Sequence, residues 1–204
     1  MTASLAVAVF DSGTGNLHSL VKVLVDGGAD VRVEADPSRL VTADALVLPG
    51  VGAFGHAAAR LAPARAALRS AMEGGLPTLG ICLGMQLLFD ASEEGAGQGI
   101  GRIPGRIEAL QATRVPQIGW NTVDDACDAL FRVAALDVAY YANGYVARPT
   151  AGNAVVAWST HEEDRFPAAV RAGRTVGVQF HPEKSSRAGV AFVHAWLREA
   201  ASCS

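Results

Sequence analysis

The chain has 204 residues, half of them hydrophobic and 18% charged. That balance excludes intrinsic disorder, which requires low hydrophobicity and high net charge. Seventeen basic and 20 acidic residues give a formal charge of −3 with no polybasic run, so charge gives no reason to expect a nucleic-acid partner.

A chain of this length buries roughly 70% of the surface its unfolded form exposes, enough for a core without disulfides or metal. One domain spanning 1–204 is therefore expected. Residues 1–10 are apolar, with no basic stretch before them and no small-residue cleavage site after, so 5–10 reads as a first core strand rather than part of a leader. A Gly-rich turn follows. Leu17, Leu20, Val21, Leu24 and Val25 then recur at helical spacing over 16–26, and Gly27-Gly28 closes that helix.

Strands are predicted over 31–34 and 45–48, the second closed by Pro49-Gly50. Residues 54–72 are Ala-rich and helical, with a bend or restart at Pro63. A fourth strand covers 77–81 and a helix 82–90. Alternating strands and helices predict an α/β fold: a central, mostly parallel sheet flanked by helices on both faces. The Gly-rich stretch 94–101 reads as a flexible surface loop. Beyond it lie short β-rich pieces at 106–109, 138–146, 154–159 and 175–180, expected as additional antiparallel strands, and an amphipathic helix over 186–200. The charge-free runs 45–59 and 74–89 fall short of the roughly 20 apolar residues a membrane-spanning helix needs.

Cys82, Cys127 and Cys203 are odd in number and form no CxxC, so neither a zinc site nor a disulfide framework is expected, and a cytoplasmic setting is the simplest reading. Gly80-Ile81-Cys82-Leu83-Gly84 follows the fourth strand and opens a helix. A G-x-nucleophile-x-G elbow projects its nucleophile at the carboxyl edge of a sheet, the glycines allowing a tight, strained turn. A helix N-terminus favours the thiolate of a cysteine placed there. The bland alternative is an inert buried thiol. A base is supplied by His181, which closes the strand before Pro182, with Glu183 two residues on; in extended chain both side chains point to one side. A carboxylate beside an imidazole fixes its tautomer and stabilises imidazolium, so Cys82, His181 and Glu183 together indicate acyl transfer.

Asp11-Ser12-Gly13-Thr14-Gly15-Asn16 also admits a phosphate-binding reading at the start of the first helix, but it lacks the third glycine of a dinucleotide fingerprint and a Walker lysine. Trp120 is equally readable as core or as interface. His18, His56, His161 and His194 have no convergent partners in sequence. The spacing of Asp124, Asp125 and Asp128 fits no calcium motif.

Five segments in order, Asp11-Ser12-Gly13-Thr14-Gly15-Asn16-Leu17, Leu48-Pro49-Gly50-Val51-Gly52-Ala53-Phe54, Gly80-Ile81-Cys82-Leu83-Gly84-Met85-Gln86-Leu87, Pro116-Gln117-Ile118-Gly119-Trp120-Asn121 and Val178-Gln179-Phe180-His181-Pro182-Glu183-Lys184-Ser185, resemble the class I, triad-type glutamine amidotransferases. More narrowly they are similar to the glutaminase subunits of imidazole glycerol phosphate synthase. The resemblance implies a flavodoxin-like sheet and glutamine hydrolysis by a Cys82–His181–Glu183 triad. It implies oxyanion donors at Leu83 and in the loop holding Val51 and Gly52, and substrate contacts from Gly50, Gln86, Asn143 and Gly144. It places Asn16, Trp120, Tyr140 and Lys184 toward a (β/α)₈ cyclase partner that uses the ammonia in histidine biosynthesis, with no cofactor or metal. Ser12 departs from the family's usual aromatic, and Tyr140-Tyr141-Ala142-Asn143-Gly144-Tyr145 from its usual His-Ser-Tyr ending. Rival readings are an amidotransferase of another pathway, an inactive regulatory relative and a cysteine peptidase.

Overall fold

The computed structural model describes residues 4–13, 17–50 and 52–202. Its strands are β1 (Ala6–Phe10), β2 (Asp30–Glu34), β3 (Ala45–Leu48), β4 (Thr78–Ile81), β5 (Ala91–Ser92), β6 (Gly105–Ala109), β7 (Gln117–Thr122), β8 (Val138–Asn143), β9 (Tyr145–Pro149), β10 (Val155–His161), β11 (Asp164–Ala172) and β12 (Thr175–Val178). Its α-helices are α1 (His18–Asp26), α2 (Phe54–Leu61), α3 (Arg65–Glu73), α4 (Leu83–Gln86), α5 (Ala129–Ala134) and α6 (Ser186–Ala201).

The main sheet runs β2-β1-β3-β4-β12-β11-β10. Its first five strands pair in parallel, and β11 and β10 extend it antiparallel. With β12 as the fifth strand, the parallel part has the flavodoxin-like order 2-1-3-4-5. Side chains alternate across each strand; in β1 and β3, covered on both faces, both alternants are apolar, whereas the edge strand β2 keeps Asp30, Arg32 and Glu34. Val7, Val9, Ala45, Val47, Leu79 and Ile81 join one core with Leu24, Phe192 and Trp196 from α1 and α6. Ala8, Phe10, Leu46 and Leu48 join a second with Phe54 and Leu68 from α2 and α3. Two smaller sheets, β5-β6-β9 and the β7-β8 ribbon, flank the main one.

Several boundaries differ from expectation. The first helix begins at His18; residue 16 lies outside the described residues. Pro63 divides 54–72 into α2 and α3 through a 3₁₀ turn, Ala62–Ala64. The helix expected over 82–90 stops at Gln86. Leu87, Leu88 and Phe89 are all buried, so their apolar run signals core, not helix. The strand expected over 138–146 breaks at Gly144, where the chain changes partners: β8 pairs with β7, but β9 pairs with β6. The loop 94–101 is not loose surface: Glu94 Oε2 accepts the Phe54 N–H at 3.1 Å, and Gly55 packs against Ala96. No helix among the described residues is long and apolar enough to cross a membrane.

Candidate active site

The parallel strands β3, β4 and β12 deliver Gly50, Cys82 and His181 to one edge of the sheet. Cys82 has φ 47° and ψ −105°, a left-handed backbone that strains any residue with a Cβ. The strain therefore sits on the nucleophile itself. Gly80 and Gly84 have ordinary φ, contrary to the expectation that the flanking glycines relieve the turn. They provide room instead: a Cβ at 80 would meet Gly84 O at 2.6 Å, and one at 84 would meet Leu48 O at 1.9 Å.

Such strain costs about 1–3 kcal/mol, whereas glycine's extra unfolded-state entropy costs about 0.5–1 kcal/mol. Cys82→Gly should therefore be more stable than Cys82→Ala by about 1 kcal/mol, a Tm roughly 2–4 °C higher in thermal melts of a domain this size. Equal melting temperatures would show that the elbow stores no strain.

His181 Nδ1 and Glu183 Oε1 are 2.9 Å apart, both side chains nearly buried. The chain does not stay extended after Pro182. It turns into a 3₁₀ segment, Pro182–Lys184, and Glu183 reaches the imidazole across that turn. Burial disfavours the imidazolium. Hydrogen bonds to Cys82 and to Glu183, with the attraction of both charges, overcome it and raise His181 from 6.5 to about 9. The folded chain thus binds this proton more tightly than the unfolded chain between those pH values. Its stabilising contribution is complete below about 6.5 and is lost as pH rises through about 9. An NMR titration of the His181 ring should show its midpoint near 9 and a lower midpoint in Cys82→Ser, which keeps no anion there. A midpoint of 6.5 in the unsubstituted chain would dissolve the ion pair.

Gly50, Gly52, Cys82, Leu83, Gln86, Glu94 and the segment 142–145 line a cavity of about 100 Å³. Typical ligand sites start near 300 Å³, so this one suits a single amide side chain better than a peptide. Leu83 begins α4, where its N–H has no intrahelical acceptor. Gly52 has φ 110°. Val51, expected to share the oxyanion role, lies outside the described residues, as do Asn16 and Cys203. Gly50 approaches closest to the triad: a Cβ there would meet Cys82 Cβ at 2.7 Å and His181 Cε1 at 3.1 Å. Asn143 is buried with Oδ1 unpartnered, and its Nδ2 donates to Tyr145 O. Gly144 lines the same wall.

Glu94 and Gln179 belong to this site, and sequence reasoning assigned neither. Glu94 opens the Gly-rich stretch expected as a flexible surface loop, and its position on the cavity wall goes with its contact to the Phe54 N–H. Ser185 is also built in. Its buried hydroxyl donates to His181 O at 2.7 Å and accepts the Tyr140 N–H at 2.9 Å, while His181 N–H donates to Tyr140 O at 2.8 Å. β8 is thereby stitched to the triad.

Trp120 is 57% exposed on β7, edge-on to Tyr140 at 6.2 Å, which decides against a core role. Lys184 Nζ lies 5.9 Å above the Tyr140 ring. Ile118 and Val138 are exposed on the same ribbon. Tyr141 points the other way, fully buried against Phe166 and Phe180, so the unusual 140–145 segment serves surface, core and cavity in turn. The remaining candidates take structural places. Asp125 pairs with Arg165, and Asp128 pairs with Arg171 and caps α5; His194 bonds Val23 O. Cys127 is exposed on another part of the fold.

Residues 8–198 match the family described as glutamine amidotransferase class-I. The chain is 40% identical to the imidazole glycerol phosphate synthase subunit HisH of Mycobacterium tuberculosis, covering 97% of this chain and 98% of the relative. It is 39% identical to that of Corynebacterium diphtheriae, covering 94% and 97%, and 42% identical to that of Halobacterium salinarum, covering 91% and 89%. Among solved structures, a glutamine amidotransferase superposes with TM-score 0.73 at 19% identity, covering 96% of this chain and 98% of that one. Thermotoga maritima PurLQS superposes with TM-score 0.72 at 18% identity, covering 97% and 99%. At such identities these two speak for the fold alone.

Proposed function

Because this chain belongs to the class-I glutamine amidotransferases and, within them, to the HisH subunits of imidazole glycerol phosphate synthase, we propose that it hydrolyses glutamine at Cys82 and passes the ammonia to a (β/α)₈ cyclase partner in histidine biosynthesis. The observation that carries the site assignment is the buried Cys82–His181–Glu183 constellation opening onto a cavity the size of one amide side chain.

The Cys82 thiolate attacks the γ-carboxamide carbon. The resulting oxyanion is met by the Leu83 N–H and by an N–H from the loop after Gly50. The imidazolium of His181 gives its proton to the departing nitrogen, ammonia leaves, and a γ-glutamyl thioester remains. Neutral His181 then takes a proton from water, whose oxygen attacks the thioester; glutamate departs and the thiolate–imidazolium pair is restored. Glu183 orients the ring throughout. The lyase step that consumes the ammonia belongs to the partner, and a cytoplasmic setting accompanies this role.

The partner would dock where Ile118, Trp120 and Tyr140 are presented, since an exposed aromatic and apolar ribbon is the composition of an interface anchor. This reading expects partner control. Gly52 sits at φ 110°, so the loop holding one oxyanion donor can rotate a peptide plane at little steric cost. One missing donor accounts for roughly 10²–10³ in rate. Glutamate production should therefore be low for the chain alone and rise by that factor with the cyclase and its nucleotide ligand bound. Equal turnover with and without the partner would remove the gating, and no turnover in any combination would remove the glutaminase reading.

A further inference from the structure

Gln179 lies between β12 and His181 and is completely buried. Its Nε2 is 3.4 Å from Cys82 Sγ, and its Oε1 is 3.4 Å from Gln86 Nε2. Gln86 Nε2 is also 3.1 Å from Tyr145 O. A main-chain carbonyl only accepts, so Gln86 must turn its NH₂ toward Tyr145. That same NH₂ faces Gln179, whose nearer atom must then be oxygen. The amide of Gln179 is thereby fixed with its NH₂ on the sulfur, an orientation imposed by a backbone group rather than chosen by the side chain.

We propose that Gln179 is a catalytic residue whose N–H holds Cys82 as the thiolate, and that it links the nucleophile to Gln86 on the cavity wall. A thiol sulfur is a weak acceptor, so a buried amide donor aimed at it would be left close to unsatisfied. A thiolate satisfies the same donor with a charge-assisted bond. The burial of Gln179 therefore biases the sulfur toward its reactive form independently of the imidazole. Among the described residues, the titratable groups around the sulfur are His181 and Glu183 on one side and Glu94 and Tyr145 on the cavity wall. Lys184 is drawn off over the Tyr140 ring.

The inference rests on Cys82 being the nucleophile of the reading above, but its test does not use glutamine. Alkylation of the full chain by iodoacetamide, resolved by cysteine with mass spectrometry across pH, reports the thiolate directly, and exposed Cys127 serves as an internal reference. In Gln179→Met, Cys82 alkylation at neutral pH should fall about tenfold, as loss of a hydrogen bond to a charged group implies, and its profile should move to higher pH, with Cys127 unchanged. Gln179→Glu is isosteric and places a negative charge on the sulfur, so it should fall further. It also keeps the test open should the methionine variant fail to fold. A structural filler would lower Tm without moving the alkylation profile. Unchanged Cys82 alkylation in either folded variant overturns the proposal. An unsubstituted chain that alkylates as expected yet releases no glutamate even with the cyclase and its nucleotide ligand bound would overturn the glutaminase reading and leave this one standing.

Discussion

Replacing His181 with alanine lowers glutamate release by roughly 10²–10⁴-fold, the range for loss of a general acid–base. The imidazolium performs two transfers in the proposed cycle: it protonates the leaving nitrogen, and as imidazole it then deprotonates water. Without it the thiolate also loses its counter-ion, so electrophilic labelling of Cys82 should slow as well. Glu183→Gln is milder. The 2.9 Å contact to Nδ1 survives as a hydrogen bond to the amide oxygen, but the carboxylate's support of the imidazolium is gone. His181 then loses one of the two attractions that raise it to about 9, and the alkaline limit of activity moves down in pH. Combining both substitutions should cost little more than His181→Ala alone, because the triad acts as a unit. Additive losses in a steady-state glutaminase assay, or wild-type turnover in Glu183→Gln, would remove Glu183 from the mechanism.

Gly84→Ala should be the most damaging small substitution in the core. The added methyl would lie 1.9 Å from Leu48 O and 2.6 Å from Leu48 C, both main-chain atoms of β3 that no rotamer change can move aside. Overpacking typically costs about 1–3 kcal/mol, and a collision with backbone belongs at the upper end or beyond. At about 3 kcal/mol the melting temperature falls by roughly 6–12 °C. Relief requires α4 to shift away from β3, and Cys82 immediately precedes that helix. Turnover should therefore drop by more than the folded fraction does, since displacement of a reacting group by about 1 Å costs on the order of 10²-fold. A melting temperature within 2 °C of the parent, roughly the effect of at most 1 kcal/mol, would show that the elbow accommodates the methyl.

Among the parallel strands, β1 and β3 were legible because they are buried on both faces: Ala6–Phe10 and Ala45–Leu48 read as uninterrupted apolar runs. The elbow and the His-Pro-Glu segment were legible because each is short and local. What escaped has physical causes. β7 is half exposed and carries Trp120 and Ile118 outward, so its pattern is not that of a core strand. β11 contains Pro167, which reads against a strand, although the chain tolerates it beside β10 where the register is irregular. α5 is only six residues long, capped by Asp128, too short to show periodicity. Glu94 and Gln179 reach the cavity through contacts between segments far apart in sequence, and no spacing rule encodes such contacts.

The Ser185 hydroxyl has a consequence for how this molecule breathes. His181 is fastened to Tyr140 at its N–H directly and at its C=O through that hydroxyl, so the triad histidine and β8 form one hydrogen-bonded unit. Segments bound in this way open together rather than one by one. The outer face of the ribbon is open, and its inner edge holds the imidazole. Fluctuations that fray the ribbon therefore misplace the proton donor, and whatever clamps Trp120 and Tyr140 from outside damps those excursions at His181 without touching the cavity.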